Sequence, residues 1–289
     1  MSHARALLLL CLSSCFAPEQ PPITGRVTQA PFKAQLIDET YQLFVRLPPE
    51  YDSEPERRFP LIVQLDANIP TLAEFAVTAG FASQLQARGE VPPAVVVGLG
   101  YSTAEAAQVH RFRDLGLPIE NAQFKEQWGK FVPDGEAPTF YRFLAEELLP
   151  YLEGAYRLSG PRGRALFGHS LGGLFVIYAL SRHDDAAPLF TGYVAASPSV
   201  FWDEGAIYPR WAQFRDPAQP LALFTAAGQL EGPEMMVYFD DFTSRVRAAG
   251  FSQLTFESRA YQTDHPGSVA PSFRDGLRFL FAHGLGETP

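Results

Sequence analysis

The sequence lacks several features that would each point to a particular class of protein. Both of its cysteines, Cys11 and Cys15, lie near the N-terminus, so the rest of the chain can form neither a disulfide nor a cysteine-ligated metal site. No run of four Lys or Arg residues occurs, and the net charge is −9. Because nucleic acid binding needs a concentrated positive field, nucleic acid is not an expected partner. Beyond the leader, no apolar run approaches the ~18 residues of a membrane-spanning helix.

The N-terminus has the pattern of an export signal. Arg5 precedes the short apolar run ALLLLCLSSC, which ends in small residues and is too short to span a membrane. The stretch Leu12–Cys15 resembles a bacterial lipobox, so we predict a lipidated Cys15, with an ordinary cleaved leader or a chance apolar start as the alternatives. Residues 1–15 are assigned to this signal and residues 16–30 to a Pro-rich tether. The expected product is exported, either as a periplasmic or outer-membrane lipoprotein attached to the membrane through Cys15 or as a secreted protein.

The remaining chain, residues 31–286, alternates strand and helix patterns and is predicted to form one α/β domain. Residues 33–51 predict an antiparallel pair. Runs that are apolar on both faces predict the central strands of a mostly parallel sheet, and the helical patterns between them place helices on both faces. The predicted strands after the pair are residues 59–65, 93–100, 164–168, 192–197, 221–228 and 254–261. Residues 101–137 break this rhythm and are interpreted as an insertion near one edge of the sheet.

A serine motif lies between a predicted strand and a predicted helix. The sequence Gly168-His169-Ser170-Leu171-Gly172 fits G-x-S-x-G, in which small flanking residues let the chain turn sharply and expose the serine at the C-terminal edge of the sheet. The N-terminus of the following helix favours a developing negative charge at the same place. Ser170 is therefore the predicted nucleophile, and the alternative is a tight turn in which it merely caps the helix.

A serine nucleophile needs a histidine base, which follows the serine and the acid in this kind of fold. Of the six histidines, His265 alone lies in a loop directly after the last predicted strand, and it is the predicted base. Glu231 follows the preceding strand closely and is the predicted acid. Three other carboxylates are less suitable as the acid. Asp240 and Asp241 lie farther along the chain, on the predicted helix, and Asp264 is next to His265 in sequence, where its side chain cannot easily turn toward the imidazole.

The oxyanion that forms during acyl transfer needs two backbone amides. One is expected from Leu171, the residue after the nucleophile, and the other from Ala67 or Asn68 in the loop LDANIP. No HExxH motif and no phosphate-cradling loop is present, so neither a metal nor an organic cofactor is predicted.

Several segments together resemble the "putative esterase" family of α/β-hydrolases, in the branch of enterochelin-esterase-like and predicted siderophore-ester hydrolases. They occur in the family's order over roughly residues 30–285 and include FPLIVQLDAN, ALFGHSLGGLFVIYAL, YVAASPSVFWDE and DHPGSV. The resemblance implies an α/β-hydrolase fold with Ser170 as nucleophile and His265 as base. It also implies that the oxyanion loop is Leu65–Asn68, where Ala67 replaces the family's usual glycine.

The resemblance also suggests residues that contact substrate. The segment GYS…RFRD often borders the site in such proteins, so Arg111 and Arg113 are candidates to contact an acidic or hydroxylated substrate, unless they pair with Asp114 or Glu105. Phe201 and Trp202 follow a central strand and are candidates to form the wall of an acyl or leaving-group pocket, with core packing as the alternative.

The sequence thus predicts an extracytoplasmic serine hydrolase for carboxylic esters, with siderophore trilactones suggested by the resemblance alone. A small-molecule ester is the expected partner. Two alternatives stay open, an acyltransferase that uses the same residues and a non-catalytic lipoprotein that binds an ester-bearing ligand.

Overall fold

One eight-stranded sheet forms the centre of the structure, a computed structural model that describes residues 21–69, 74–129, 132–183 and 188–286. The predicted signal with Cys11 and Cys15 lies outside the described residues. The strands are β1 (Arg26–Lys33), β2 (Thr40–Leu47), β3 (Leu61–Gln64), β4 (Val95–Tyr101), β5 (Arg164–His169), β6 (Gly192–Ala196), β7 (Leu221–Gly228) and β8 (Leu254–Tyr261).

The strand order is β1-β2-β4-β3-β5-β6-β7-β8. β2 pairs antiparallel with β1 and with β4, and every later pairing is parallel. The six residues between β1 and β2 close a short connection, in which the amide of Ala34 donates to the carbonyl of Glu39 over 2.8 Å. Short connections join antiparallel neighbours, whereas the parallel strands need crossover helices. The predicted mostly parallel sheet is confirmed.

The N-terminal boundary of the sheet differs from our prediction. Residues 26–30, which we assigned to the tether, belong to β1 and pair with β2. The preceding residues are also held, because the amide of Thr24 donates to Ser83 Oγ over 3.0 Å. Proline-rich composition suggested an extended tether, but an edge strand accepts such a segment because half of its backbone groups need no partner.

Helices cover both faces of the sheet, as predicted, and two apolar clusters fill the space beneath them. The helices are α1 (Glu50–Ser53), α2 (Phe75–Ala87), α3 (Ala104–Leu115), α4 (Ala122–Trp128), α5 (Ala137–Phe143), α6 (Leu149–Ala155), α7 (Leu171–Ser181), α8 (Tyr208–Trp211), α9 (Pro233–Ala249) and α10 (Val269–Ala282). α2 and α10 pack together on one face, and α3, α5 and α7 pack on the other. Within the described residues no helix has the length and apolarity to cross a membrane.

α5 and α6 are joined by a π-helical turn, Leu144–Leu148, rather than by a loop. Phe140, Leu144, Leu148 and Leu152 recur every four residues, and each is at most 1 % exposed. A regular α-helix advances 3.6 residues per turn, so a strict four-residue spacing would drift around it. The wider π turn corrects the drift and keeps all four side chains in the core.

The segment that we placed near one edge of the sheet lies elsewhere. Residues 101–137 form the end of β4, α3 and α4, and α3 packs against α5 and α7. β4 is the third strand of the sheet order, and α7 follows the central strand β5. The edge position was therefore wrong, and these helices lie above the end of the central strands, where they enclose the candidate site.

Candidate active site

Ser170 lies at the corner between β5 and α7 in a strained backbone conformation. Its φ is +60° and its ψ is −121°, a region that residues with a Cβ seldom adopt. Its side chain makes no capping hydrogen bond to α7, which argues against the helix-cap alternative. Instead Oγ lies 3.3 Å from Oγ of Ser199. The corner therefore presents the hydroxyl to the site rather than to the helix.

A close approach between the strand and the helix explains the first glycine of the motif. A Cβ on Gly168 would lie 2.3 Å from the carbonyl oxygen of Gly172, which no side chain can accommodate. The second motif glycine is less restricted, since a Cβ on Gly172 would first meet Asp66 Oδ2 at 3.3 Å. A third glycine, Gly173, has less space around it, because a Cβ added there would lie 2.8 Å from the Ala196 carbonyl oxygen.

His265 and Glu231 are hydrogen-bonded to each other. Nδ1 of His265 donates to Oε2 of Glu231 over 2.8 Å, and the glutamate side chain is only 1 % exposed. This bond leaves Nε2 as the ring nitrogen that can accept a proton. Burial raises the pKa of Glu231, but hydrogen bonds from His265, Ser197 and the Gly228 amide lower it more, so its pKa lies below its usual value. Glu231 is therefore a carboxylate at neutral pH.

Backbone hydrogen bonds tie the loop of the acid to the loop of the base. The amide of Gln229 donates to the Tyr261 carbonyl over 2.7 Å, and that of Leu230 donates to the Thr263 carbonyl over 3.0 Å. A Cβ on Gly228 would lie 2.4 Å from the Thr263 carbonyl oxygen. The glycine that ends β7 thus permits the close approach that brings Glu231 to His265.

Side chains absent from our prediction hold the acid and the base in place. Ser197 Oγ donates to Oε1 of Glu231 over 2.5 Å and lies 2.6 Å from Oγ of Ser268, which donates to the carbonyl of His265 over 2.8 Å. Nε2 of His169 donates to the same carbonyl over 2.9 Å. Burial lowers the pKa of His169 to about 3, with a further contribution from the adjacent His265. His169 therefore stays neutral and acts as a fixed donor.

The other acids that we considered make different contacts. Asp264 is exposed and its Oδ1 accepts from the Gly267 amide over 3.0 Å. Asp241 pairs with Arg245 on the outer side of α9 at 2.8 Å, and Asp240 is exposed on the same helix. Among the described carboxylates, it is Glu231 that contacts His265.

The two amide alternatives for the oxyanion differ in the structure. The amide of Ala67 donates to the Leu99 carbonyl over 3.0 Å, so the Ala67 alternative is wrong in this conformation. Asn68 is fixed through its side chain, which donates to the Tyr101 carbonyl over 2.7 Å and accepts from the Tyr101 amide over 2.9 Å. Its own amide makes no hydrogen bond to a described residue. Leu171 is the first residue of α7, where amides have no acceptor within the helix.

Neither candidate arginine has a guanidinium group free of protein partners. Arg111 pairs with Asp66 through two hydrogen bonds, 2.9 Å from Nη2 to Oδ2 and 3.3 Å from Nε to Oδ1. Arg113 pairs with Asp114 at 2.7 Å and with Glu39 at 3.4 Å. Pairing of Arg113 with Asp114 was the alternative that we had considered, whereas Asp66 as the partner of Arg111 was not foreseen. Arg111 still lines the cavity beside Ser170, and Arg113 does not.

An aromatic cavity of about 420 Å³ opens beside Ser170. The two predicted wall residues, Phe201 and Trp202, both line it. Trp202 is 5 % exposed and its Nε1 donates to the Leu117 carbonyl over 2.9 Å, so this side chain belongs to the core as well as to the wall. The remaining lining residues are Arg111, Phe112, Phe124, Trp128, Val132, Leu171 and Ser199.

Sequence reasoning missed the serines behind the acid and the aromatic residues of α3 and α4. Ser197 and Ser199 belong to an SPS motif directly after the central strand β6. Ligand sites lie at the carboxyl ends of strands in such sheets, so this position was the signal that could have identified them. No comparable signal identified Phe124 or Trp128, which reach the cavity through the position of α4. Within the described residues, no cluster of three His, Cys, Asp or Glu side chains is arranged to hold a metal ion.

Comparisons with known proteins identify the family and the fold. Residues 34–230 match the family model described as "Putative esterase". The chain is 36% identical over 200 residues to the ferri-bacillibactin esterase BesA of Bacillus subtilis (strain 168), and the match covers 66% of each protein. It is 33% identical over 138 residues to the siderophore enterobactin esterase of Emericella nidulans, and that match covers 46% of this chain and 44% of the relative. These matches therefore span less than two thirds of the length of either relative.

A solved structure shares the fold over nearly the whole chain. The crystal structure of the BES protein from Bacillus cereus superposes with a TM-score of 0.75 at 25% identity, covering 91% of this chain and 97% of that one. The fold is thus an α/β-hydrolase fold, with the serine corner after β5, the glutamate after β7 and the histidine after β8.

Proposed function

The chain belongs to the "Putative esterase" family, and on that premise we propose that it is a serine hydrolase that cleaves carboxylic esters. The observation that carries the proposal is the Glu231–His265 hydrogen bond, 2.8 Å long, in a loop held against the residue that precedes Ser170. A strained serine, an oriented imidazole and unpaired amides at a helix start are the groups that acyl transfer requires.

The first half of the proposed reaction forms an acyl-enzyme. Ser170 Oγ leaves its hydrogen bond with Ser199 and attacks the ester carbonyl carbon, while Nε2 of His265 takes the hydroxyl proton. The carbonyl oxygen becomes an oxyanion, stabilised by the amides of Leu171 and Asn68 and by the N-terminus of α7. The C–O bond of the ester then breaks, and the alcohol departs with the proton from His265.

The second half releases the acid. A water molecule gives its proton to His265 and attacks the acyl carbon, and the bond to Ser170 breaks as the serine oxygen takes that proton back. One ester and one water thus yield one acid and one alcohol, without any cofactor in the scheme. Throughout both halves Glu231 stays ionised and stabilises the imidazolium, which is its role in orienting the base.

The substrate that we propose is an ester with an aromatic arm, and siderophore esters with catechol rings fit this description. Aromatic side chains dominate the cavity, and such pockets bind planar rings through apolar burial and edge-to-face contacts. The relatives named as siderophore esterases support this class of substrate. The size of the cavity suits one aromatic arm at a time rather than a whole macrocycle.

Labelling with a fluorophosphonate tests the proposal without knowledge of the natural ester. The reagent needs an activated serine and an oxyanion hole, so we expect one adduct on Ser170, located by intact mass and peptide mapping. Ser170→Ala is the control for the site, and Ser199→Ala distinguishes the nucleophile from its neighbour. Absence of an adduct on folded wild-type protein would favour the ligand-binding alternative.

An ester panel then tests the substrate class. Catecholate siderophore lactones, simple aryl esters and acetyl esters would be compared by kcat/KM. We expect the aromatic esters to react fastest, and a preference for acetyl esters would contradict the proposed use of the aromatic cavity. Adding an alcohol acceptor to the same assay separates hydrolysis from acyl transfer.

We further propose that the protein is exported and lipidated at Cys15, on the basis of the leader and the lipobox-like stretch. In the native host, Cys15→Ala should move the protein from the membrane fraction to the soluble fraction. An unchanged distribution would contradict lipidation.

A further inference from the structure

The ion pair between Arg111 and Asp66 lies beside the two elements that would form the proposed oxyanion site, the turn with Asn68 and the start of α7. Asp66 begins the turn that carries Asn68, and its side chain is fully buried. The carboxylate also approaches the first turn of α7, since a Cβ on Gly172 would lie 3.3 Å from Oδ2. It therefore lies near both elements whose amides would bind the oxyanion.

A buried carboxylate at this place would oppose catalysis if it were alone. Two negative charges repel strongly where little water screens them, and the oxyanion is the charge that develops in the transition state. Arg111 provides a positive partner that is itself only 9 % exposed. Burial acts to lower the pKa of Arg111, but the charge of Asp66 and its hydrogen bonds raise that pKa above its usual value. The guanidinium group is therefore charged.

The same pair also fixes the backbone of the turn. Asp66 has a φ of +55°, a left-handed conformation that is unfavourable for a residue other than glycine. The two hydrogen bonds from Arg111 hold its carboxylate, and the Asn68 side chain is held separately by Tyr101. The turn is thus anchored by side chains at both ends, with the Asn68 amide between the two anchors.

We propose that Arg111 is a positioning residue that acts through Asp66: it cancels the carboxylate charge beside the oxyanion and holds the turn that presents the Asn68 amide. This role differs from direct contact with the substrate, which is the expectation that the sequence raised for Arg111. The proposal rests on the proposed function, because it concerns the same oxyanion. Because Arg111 lies on α3, the ion pair also connects the helix that lines the aromatic cavity to the turn that carries Asn68.

A set of four variants tests the proposal by kcat and KM on a small neutral ester and by the rate of fluorophosphonate labelling. Arg111→Met leaves a bare carboxylate, so we expect kcat and the labelling rate to fall about a hundredfold while KM changes less than threefold. Asp66→Asn combined with Arg111→Met removes both charges and should recover at least tenfold of that loss. Arg111→Lys keeps the charge without the fork geometry and should lie between Arg111→Met and wild type.

Arg113→Met is the matched control, because Arg113 lies on the same helix and pairs with a buried aspartate away from the cavity. It should lower the unfolding midpoint without a comparable loss of kcat. A double variant no faster than Arg111→Met, or a loss confined to KM, would overturn the proposal in favour of substrate contact.

Failure of the proposed function would look different. Wild-type protein would then neither label nor cleave esters. A double-mutant cycle on the unfolding midpoint would still report whether Arg111 and Asp66 hold the turn, since additive changes would show that the pair is not a structural unit.

Discussion

Two groups of side chains near Ser170, a sheet wall and an aromatic wall, are built from different kinds of contact. The sheet wall consists of His265, Glu231, Ser197 and His169, which are joined by hydrogen bonds of 2.5–2.9 Å. The aromatic wall consists of five ring side chains that line the cavity, Phe112, Phe124, Trp128, Phe201 and Trp202. Four of them, all except Phe201, contact one another loosely, with centroid distances of 5.4–6.2 Å.

Under the proposed function, the two walls divide the work between catalysis and selectivity. Hydrogen bonds depend steeply on distance and angle, so the sheet wall tolerates few replacements. Apolar contacts depend on area, so the aromatic wall should lose its contribution gradually. Catalysis and selectivity can therefore be changed separately, and the following predictions test that separation.

Removal of the nucleophile or the base should have the largest effect. Ser170→Ala and His265→Ala should each lower kcat by at least ~10⁴-fold, and the double variant should lose no more, because such residues act as a unit. The check is kcat on an aryl ester and on an acetyl ester. Losses that multiply, or that differ between the two esters, would show that the sheet wall does not work independently of the aromatic wall.

Glu231→Gln should have the next largest effect. A neutral amide cannot stabilise the imidazolium and can favour the wrong tautomer, so kcat should fall by about 10²–10⁴-fold. Asp240→Asn and Asp264→Asn, which alter carboxylates on either side of the loop, should stay within about twofold of wild type. A larger loss in Asp240→Asn than in Glu231→Gln would identify a different acid.

His169 should make the stability of the sheet wall depend on pH. Its pKa is about 3 in the folded protein and near 6.5 when unfolded, so the unfolded state binds more protons between these values. The free energy of unfolding should therefore fall as the pH falls, by about 2 kcal/mol between pH 7 and pH 5 from this group alone. Chemical denaturation at several pH values measures the slope. In His169→Gln the fall in unfolding free energy between pH 7 and pH 5 should be smaller by about 2 kcal/mol. An unchanged fall would contradict the low pKa assigned to His169.

Truncation of the aromatic wall should have the smallest effect and the most selective one. Trp128 is 44% exposed at the mouth of the cavity, so its removal should not unfold the protein. Trp128→Ala should raise KM for aryl esters by up to about tenfold, the size of a typical aromatic contact, and leave acetyl esters unchanged. Val109→Ala, on the exposed side of α3, is the matched control. An equal loss on both esters would show that this wall also positions the reacting groups.

Sequence patterns were sufficient for Ser170 and for two of the four members of the sheet wall, Glu231 and His265. Apolar runs located the central strands, and the rule that ligand sites lie at strand C-termini placed Ser170, Glu231 and His265 on neighbouring loops. Glu231 was identified because it closely follows β7. The same position, at the end of the strand next to β8, brings it within hydrogen-bond distance of His265. For these three residues, both the residue type and the position just after a strand can be recognised from the neighbouring stretch of sequence.

The aromatic wall and the buried polar partners were less accessible to such reasoning. The choice between the amides of Ala67 and Asn68 for the proposed oxyanion site depends on a single hydrogen bond from Ala67 to Leu99, a residue about thirty positions away. Arg111 and Asp66 are farther apart still, 45 positions in the chain. The first of these pairs depends on how the loop after β3 lies against β4, and the second on how α3 packs over the sheet, and no local period or motif describes either.

One edge of the sheet concentrates backbone conformations that favour glycine. Asp66, Ser170 and Ser197 have φ values of +55°, +60° and +40°, and they follow the adjacent strands β3, β5 and β6. At Ser170, glycine would relieve about 1–3 kcal/mol and cost only about 0.5–1 kcal/mol in chain entropy, so selection for heat resistance alone would be expected to favour glycine there. At Asp66 the same exchange would leave the buried guanidinium of Arg111 without its partner, and at Ser197 it would remove a hydrogen bond to Glu231. In the proposed mechanism Ser170 attacks the ester, so Ser170→Gly would yield a more durable protein that no longer turns over its substrate.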